Sequence, residues 1–435
     1  MISKRSLPPS ITPGIPKLDR FPSSWRRIPF GELLEPVSRP VRLIPDARYQ
    51  LVVARRNRGG IEPRERLRGD EIKTPSQFEI RSGDFVIAKR QIIHGGCGFV
   101  PASLDGAIVS GEYDVFRSRS PLVAAYLRWF THTVYFQQTC YQCSIGVDVE
   151  KMIFQTGRWL RVPMPLPPVD VQLRIARCLD ALDAVDARLE SVLESKRRLK
   201  QALLQQLLTG KLRARSHRTA WRSAKLGELG EFVRGVSYDA ETDMRSAADG
   251  DAVALLRAGN LQGGELRLDD VYFIDPRRCS PRQLLAPGDV AICMSNGSRT
   301  LVGKASQFRS QLDRPTTVGA FCTVFRPSPG VDHEFIRQVF AGSKYRAWIA
   351  RALAGSAINN LRASVIESLE VDIPTSRDEE RCVGNTLGLL DTELNLLDRQ
   401  LAAVRKLKRG LMQKLLTGEL EVPAADESKG DEVHA

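Results

Sequence analysis

The sequence has no apolar run approaching the ~20 residues that a membrane-spanning helix needs. Its opening, MISKRSLPPSITPGIP, carries basic residues with no apolar stretch behind them and is not read as a secretory signal. Residues 1–20 are expected to form a Pro-broken, mobile tail, and the protein is expected in the cytoplasm. The eight cysteines (97, 140, 143, 178, 279, 293, 322, 382) have no framework spacing, which fits thiols in a reducing compartment. His94-x2-Cys97 and Cys140-x2-Cys143 are two separated half-motifs, and no metal site is assigned to them. No G-x-x-x-x-G-K-[ST] loop is present, which excludes ATP-driven translocation by this chain. Neither a Gly-rich cofactor loop after a strand nor a D/N-P-P-Y/F pocket is present, which excludes a self-contained adenine methyltransferase. Pro45-Asp46 followed by Glu71-Ile72-Lys73 formally matches the carboxylate–lysine pattern of Mg-dependent nucleases. The intervening RNRGGIEPRERLRGD does not read as a nuclease core, so a nuclease stands only as a distant third reading.

What the chain does have is length, positive charge and repetition. At 435 residues it is too long for one ordinary core and calls for two or three domains. The formal net charge of +13 is uneven. Residues 1–168 hold 25 Lys and Arg against 15 Asp and Glu, a surplus of 10, whereas residues 375–435 hold 9 against 12. A basic surplus at one end points to a polyanion partner, because each neutralised phosphate releases counterions. Net charge also serves solubility, so it does not decide the matter alone.

The repetition is more informative. LLQQLLTGKL (203–212) returns as LMQKLLTGEL (411–420), 208 positions later. At that shift Leu179, Leu182, Leu189, Leu193, Leu199, Leu203, Leu207 and Leu208 fall on Leu387, Leu390, Leu397, Leu401, Leu407, Leu411, Leu415 and Leu416. Asp183 matches Asp391, Arg197 matches Arg405, and Lys200 matches Lys408. Spacings of three, four and seven predict long amphipathic helices from about 171 to 208 and from about 379 to 416. Each is entered from a breaker, PMPLPP (163–168) or DIPTS (372–376), and left through Gly210 or Gly418. A helix that long needs a partner of its own length, and its copy is the obvious one; the alternative is that each helix packs separately onto its own domain. Outside the helices, WRRIPFGELLE (25–35) resembles WRSAKLGELGE (221–231), and RSGDFVIAK (81–89) and APGDVAICM (286–294) both read as a turn entering a strand.

The order PxPLPP, helix, LLQQLLTGKL, repeated after a second W…LGEL domain, resembles the specificity subunit of Type I restriction–modification systems from about Phe21 to Val422. The resemblance implies an α+β protein in which two mixed α/β target-recognition domains are separated by two long helices paired as an antiparallel coiled coil. The expected boundaries are 1–20 tail, 21–168 first recognition domain, 169–215 first spacer helix, 216–374 second recognition domain, 375–421 second spacer helix and 422–435 disordered tail. It further implies that each domain reads one half of a split sequence in double-stranded DNA. The helices would dock two DNA adenine methyltransferase subunits, which in turn recruit restriction/translocase subunits. The chain itself would be non-catalytic and hold no cofactor, with methyl donor, ATP and Mg confined to partner subunits. The alternative is a stand-alone bipartite DNA-binding protein of architectural or regulatory kind.

Candidate DNA contacts fall on glycine-flanked loops. ARRNRGG offers Arg55, Arg56, Asn57 and Arg58, and AKRQIIHGGCG offers Lys89, Arg90, Gln91 and His94. In the second half, MSNGSRTLVGK offers Asn296, Ser298, Arg299 and Lys304, and GSAINNLR offers Asn359, Asn360 and Arg362. Arg pairs bidentately with guanine and Asn or Gln with adenine, although the same loops serve equally for phosphate contacts or as Asn-rich turns. Leu182, Leu189, Leu193, Leu203 and Leu207 are expected to pair with Leu390, Leu397, Leu401, Leu411 and Leu415. The matching basic clusters Lys196-Arg197-Arg198 with Lys200 and Arg405-Lys406 with Lys408-Arg409 read as a solvated helix face, or as a track for DNA backbone or an acidic partner. The joining stretch TGKLRARSHR (209–218) is expected to be sensitive to length.

Overall fold

The computed structural model describes residues 21–213 and 219–423, apart from 248, 263, 269, 310–312 and 355–358. The expected N-terminal tail, residues 214–218 of the joining stretch, 355–358 of the Gly-Ser loop and the segment from 424 onward lie outside the described residues. Proline sets where the long helices begin. The strand Pro163–Leu166 runs into Pro167 and Pro168, which cannot continue a helix interior, and the first long helix is Val169–Leu207. The strand Glu370–Pro374 likewise precedes the second, Arg377–Thr417, where the Ser376 hydroxyl accepts from the Asp378 amide at 3.2 Å. Asp378, Glu379 and Glu380 in its first turn complement the helix dipole. Helices of 39 and 41 residues are roughly 60 Å long.

Both helices end the same way, which explains the repeated Thr-Gly. Thr209 and Thr417 bond back to the carbonyls of Gln205 and Gln413, at 2.8 and 2.9 Å. Gly210 and Gly418 then take φ of +67° and +74°. A Cβ on Gly210 would sit 3.0 Å from the Trp221 ring, and one on Gly418 would sit 2.4 Å from Pro22 and 3.2 Å from Trp25. Glycine is required twice over, by conformation and by close approach to the tryptophan of each W…GEL segment.

The chain divides into two compact units. One takes in the chain up to Arg188 together with the stretch from Leu401 onward, and the other is Leu189–Gln400. Each unit therefore owns part of both long helices. Each also builds the same frame. In the first, Arg26–Pro29 pairs antiparallel with Pro163–Leu166, and a four-stranded sheet runs Leu34–Pro36, Tyr113–Ser118, Phe85–Ala88, Cys97–Phe99. In the second, Trp221–Lys225 pairs antiparallel with Glu370–Pro374, and the sheet runs Gly230–Arg234, Cys322–Pro327, Val290–Cys293, Ala305–Gln307, with two short further strands. In both, a further sheet contains one parallel pair: Arg48–Ala54 with Ile108–Ser110 in a five-stranded sheet, and Val253–Leu256 with Thr316–Val318 in a three-stranded one. The mixed helix-and-strand architecture expected from the sequence is present, and among the described residues no helix is long and apolar enough to cross a membrane.

The cores absorb the helix ends. Ile175, Leu179, Leu182, Leu411, Leu415 and Leu416 pack into the aromatic core of the first unit around Trp159, Phe116 and Phe136. Leu203, Leu204, Leu207 and Leu387 pack into that of the second around Phe325, Phe335 and Tyr345. The terminal leucines of each stripe thus belong to a domain core as well as to the helix pair. In the middle of the helices Leu193 and Leu401 are buried, while Leu189, Leu390 and Leu397 are half-buried.

Glu379 fastens the start of the second helix to the strand that opens its unit. Its carboxylate accepts from the Arg213 guanidinium at 2.8 and 2.9 Å, from the amide and hydroxyl of Thr219 at 3.0 and 2.6 Å, and from Trp221 Nε1 at 3.1 Å. Burial alone would raise this carboxyl, but the hydrogen bonds overcome it and hold the pKa at about 2. Stability from this group is therefore present at neutral pH and lost as pH falls from about 4.5 to about 2, worth about 3 kcal/mol when complete. Urea unfolding at neutral pH should find Glu379→Gln less stable than wild type by a similar amount. The gap should close as the measurements are carried toward pH 2.

Candidate nucleic-acid interface

In the first unit, the strand Arg48–Ala54 turns through Arg56–Arg58 into Ile61–Arg68. Asn57 and Arg58 both take positive φ, 58° and 62°, conformations that asparagine tolerates and arginine adopts only under constraint. The constraint comes from the second predicted loop. The Arg58 amide donates to the Gly95 carbonyl at 3.1 Å, and a Cβ on Gly95, itself at φ +81°, would lie 2.9 Å from that amide nitrogen. The two basic loops, 54–60 and 88–98, therefore interlock. Arg56 Nε donates to Gln91 Oε1 at 2.7 Å, which brings one predicted residue from each loop together.

Carboxylates meet most of these cations. Arg55 pairs with Glu62 at 2.6 Å, Arg90 with Glu112 at 2.7 Å, and Lys89 lies 3.9 Å from Asp114. Arg56 Nη2 donates to Glu150 Oε2 at 2.9 Å, and His94 Nε2 lies 3.1 Å from Glu150 Oε1 without hydrogen-bond alignment. Burial lowers the His94 pKa more than Glu150 raises it. Arg58 is half-buried beside Cys97 and Cys140; burial lowers its pKa, and its Nε has no hydrogen-bond partner. Of the carboxylates in the nuclease-like pattern, Asp46 pairs with Arg68 at 2.9 Å, and Glu71 accepts from the Arg68 amide at 2.7 Å.

In the second unit the two predicted loops also meet. Leu361 donates to the Met294 carbonyl at 2.8 Å, Ser295 forms a β-bridge with Asn360, and Asn359 Nδ2 donates to the Gly297 carbonyl at 3.1 Å. Asn296 Oδ1 accepts from the Ser298 amide at 2.9 Å. Asn296, Ser298, Asn359 and Asn360 thus share one site, with Arg299 exposed on the following turn and Arg362 exposed ahead of the helix Ala363–Glu367. Lys304 is elsewhere, lining a cleft of about 380 Å³ with Lys200, Arg337 and Asp391.

The frame of both sites is the same to the hydrogen bond. Lys89 donates to the Glu112 carbonyl and its own carbonyl accepts from Phe154; Met294 donates to the Phe321 carbonyl and accepts from Leu361. Glu112 and Phe321 therefore occupy equivalent places. Phe321, 69% exposed, borders a cleft of about 880 Å³ lined also by Tyr238, Arg257, Asn260 and Asn296. The Arg257 guanidinium stacks 3.6 Å over the Tyr272 ring. Neither Phe321 nor Arg257 was singled out in the sequence. Arg257 had a usable signal, because RAGN follows its strand as RRNRGG follows the equivalent strand of the first unit. Phe321 had none beyond a glycine two residues before it.

The long helices carry a second doubled arrangement. In the first unit Asp183 is held by Lys408 of the opposite helix and by Arg128 at 3.1 Å, and Asp186 accepts from Arg405 at 2.8 Å. In the second, Asp391 is held by Lys200 of the opposite helix and by Arg337 at 2.8 Å and Gln338 at 2.9 Å. Lys196 meets Glu393 at 2.7 Å, and Arg197 meets Asp398 at 2.9 Å. Within each unit, rising numbers on one helix meet falling numbers on the other, so the helices run antiparallel. The basic clusters read as a solvated face are therefore largely interhelical partners.

No protein-family model matches the chain. It is 27% identical to the Type I restriction enzyme StySPI specificity subunit of Salmonella potsdam over 196 residues, which is 45% of this chain and 42% of that one. It is 28% identical to the EcoKI specificity subunit of Escherichia coli K12 over 198 residues, 46% of this chain and 42% of that one. The chain is similar to Type I restriction enzyme specificity subunits over these stretches. The crystal structure of a Type I restriction–modification S subunit from M. genitalium has the same fold, with a TM-score of 0.58 over 92% of this chain and 99% of that one at 16% identity. The matched stretches span less than half the length of both specificity subunits named from their sequences.

Asp391 tests the doubled arrangement. Burial raises its carboxyl, yet Gln338, Lys200 and Arg337 bring it below the ordinary aspartate value. Arg337 is only 6% exposed and would keep only Glu334, at 3.0 Å, so Asp391→Ala leaves Arg337 and Lys200 one carboxylate short and should cost about 2 kcal/mol in urea unfolding. Asp183→Ala should cost less, because Arg128 and Asp183 are more open to water.

Proposed function

We propose that this chain is the sequence-recognition subunit of a Type I restriction–modification complex in the cytoplasm, reading a split target in double-stranded DNA. The observation that carries the reading is the twice-built frame with different side chains in equivalent places: Glu112 and the Arg–His loops in one unit, Phe321 and the asparagine loops in the other. Two readers of one design but different surface chemistry suit two different half-sites. The chain's surplus of basic residues suits a phosphate backbone, which supplies affinity while base edges supply choice. The long helices serve as spacer, since a major-groove site recurs only about once per helical turn of 34–36 Å and the distance between readers has to be fixed. Two DNA adenine methyltransferase subunits dock on the chain and bring the restriction/translocase subunits with them. Methyl donor, ATP and Mg act in those partners, and this chain performs no chemistry itself. The likeness to specificity subunits supports the recognition role.

Coexpression with an adenine methyltransferase subunit of a Type I system from the same host should give a complex that survives purification. Failure to bind it would overturn the assignment in favour of a stand-alone DNA-binding protein. Mapping methylated adenines in the host genome should then return one split motif. Substituting Asn57 or Arg58 should weaken binding to that motif by about 1–3 kcal/mol and relax preference in one half only. A change spread over both halves would contradict a division of labour between the units.

A further inference from the structure

Of the cations on the first unit's loops, Arg56 is held in an unusual way. Its Nε is taken by Gln91 and its Nη2 by Glu150, whose other oxygen faces His94. Arginine has five N–H donors; two are engaged here, on one edge of the guanidinium, and the edge bearing both terminal nitrogens keeps its remaining donors. Glu150 lies on neither basic loop. It comes from the turn Val149–Lys151, anchored by buried Val149 within the Ser144–Ile145 and Ile153–Phe154 hairpin. A third segment of the fold thus places a negative charge at the centre of a basic surface. At more than half exposure its ion pair adds little to stability. Its effect is on what can approach.

We propose that Glu150 is a specificity-determining residue, which orients Arg56 edge-on toward a neutral base and repels phosphate from the Arg56–Gln91–His94 cluster. This rests on reading these loops as DNA contacts. An unrestrained arginine on such a loop binds any phosphate it reaches. One fixed along its inner edge by Gln91 and Glu150 presents a planar pair of donors suited to guanine O6 and N7. A phosphate approaching the same guanidinium meets the Glu150 carboxylate within a few ångströms, a like-charge penalty that a base edge does not incur. Discrimination then comes from a repulsive element as much as from an attractive one.

The test uses the full-length chain and its Glu150→Gln variant, which keeps shape and hydrogen-bonding capacity and removes the charge. Each is used to select bound sequences from a pool of random duplexes, and its affinity for an unselected random duplex is measured across a salt titration. The variant should bind random duplex more tightly, with the slope of log K against log salt steeper by about one. Its selected sequence should lose preference at one or two adjacent positions of a single half, with the other half unchanged. The proposal is overturned if either the salt slope or the selected sequence stays at the wild-type value, or if binding to selected and random duplex falls together, as a purely structural role would give. Should the wild-type chain select no sequence at all, the recognition role itself falls, and this inference with it.

Discussion

One carboxylate on each long helix is shared between a lysine of the opposite helix and an arginine of the globular part of its own unit. Asp183 stands between Lys408 and Arg128, and Asp391 between Lys200 and Arg337. An apolar stripe alone specifies register weakly, since a leucine can slide by one heptad and find another leucine. A half-buried carboxylate cannot, because every slipped register leaves at least one charge without its counter-charge in a region of poor solvation. The same group that sets the register of the helix pair also fixes which face of that pair the sheet and its helices pack against. The terminal leucines then fill the two aromatic cores from a direction already decided.

On that frame the recognition loops are free to differ. The strands around Phe85–Ala88 and Val290–Cys293 are fully buried and leave little room for variation. Their exits carry the exposed groups: an Arg90–Glu112 ion pair in one unit, and Ser295 beside the exposed Phe321 in the other. A rigid sheet with chemically distinct tips separates affinity from choice. In the first unit the distinct element is a web of arginines restrained by carboxylates, and in the second it is a turn of asparagines beside an aromatic-rimmed cleft.

Much of this was legible because the chain repeats itself. The 208-residue shift identified the leucines and matched Asp183 with Asp391 and Lys200 with Lys408, the residues of the doubled clamp. Their meaning was not legible. A Lys-Arg cluster on a helix looks the same in sequence whether it faces solvent, a phosphate or an aspartate 191 residues away, and only antiparallel pairing distinguishes these. Leu199 and Leu407 occupy matching places in the repeat yet are about half exposed, because helical spacing locates a stripe more firmly than its edges. Glu150 and Phe321 went unremarked for a related reason. Each acts through residues brought to it by strand pairing, and nothing in its own neighbourhood of sequence announces them.

The sequence by itself determined the elements: two proline-entered, glycine-closed helices with leucine on one face, and two strand-rich segments opened by W…GEL. These follow from local rules of conformation and periodicity, which operate within a few residues. Tertiary structure alone decided which charges neutralise which, that the Asn57–Arg58 turn is strained against Gly95, and that Lys304 faces the Asp391 cleft rather than the asparagine site. Electrostatic and packing partners are chosen by distance in space, and a chain records distance in space only after it has folded.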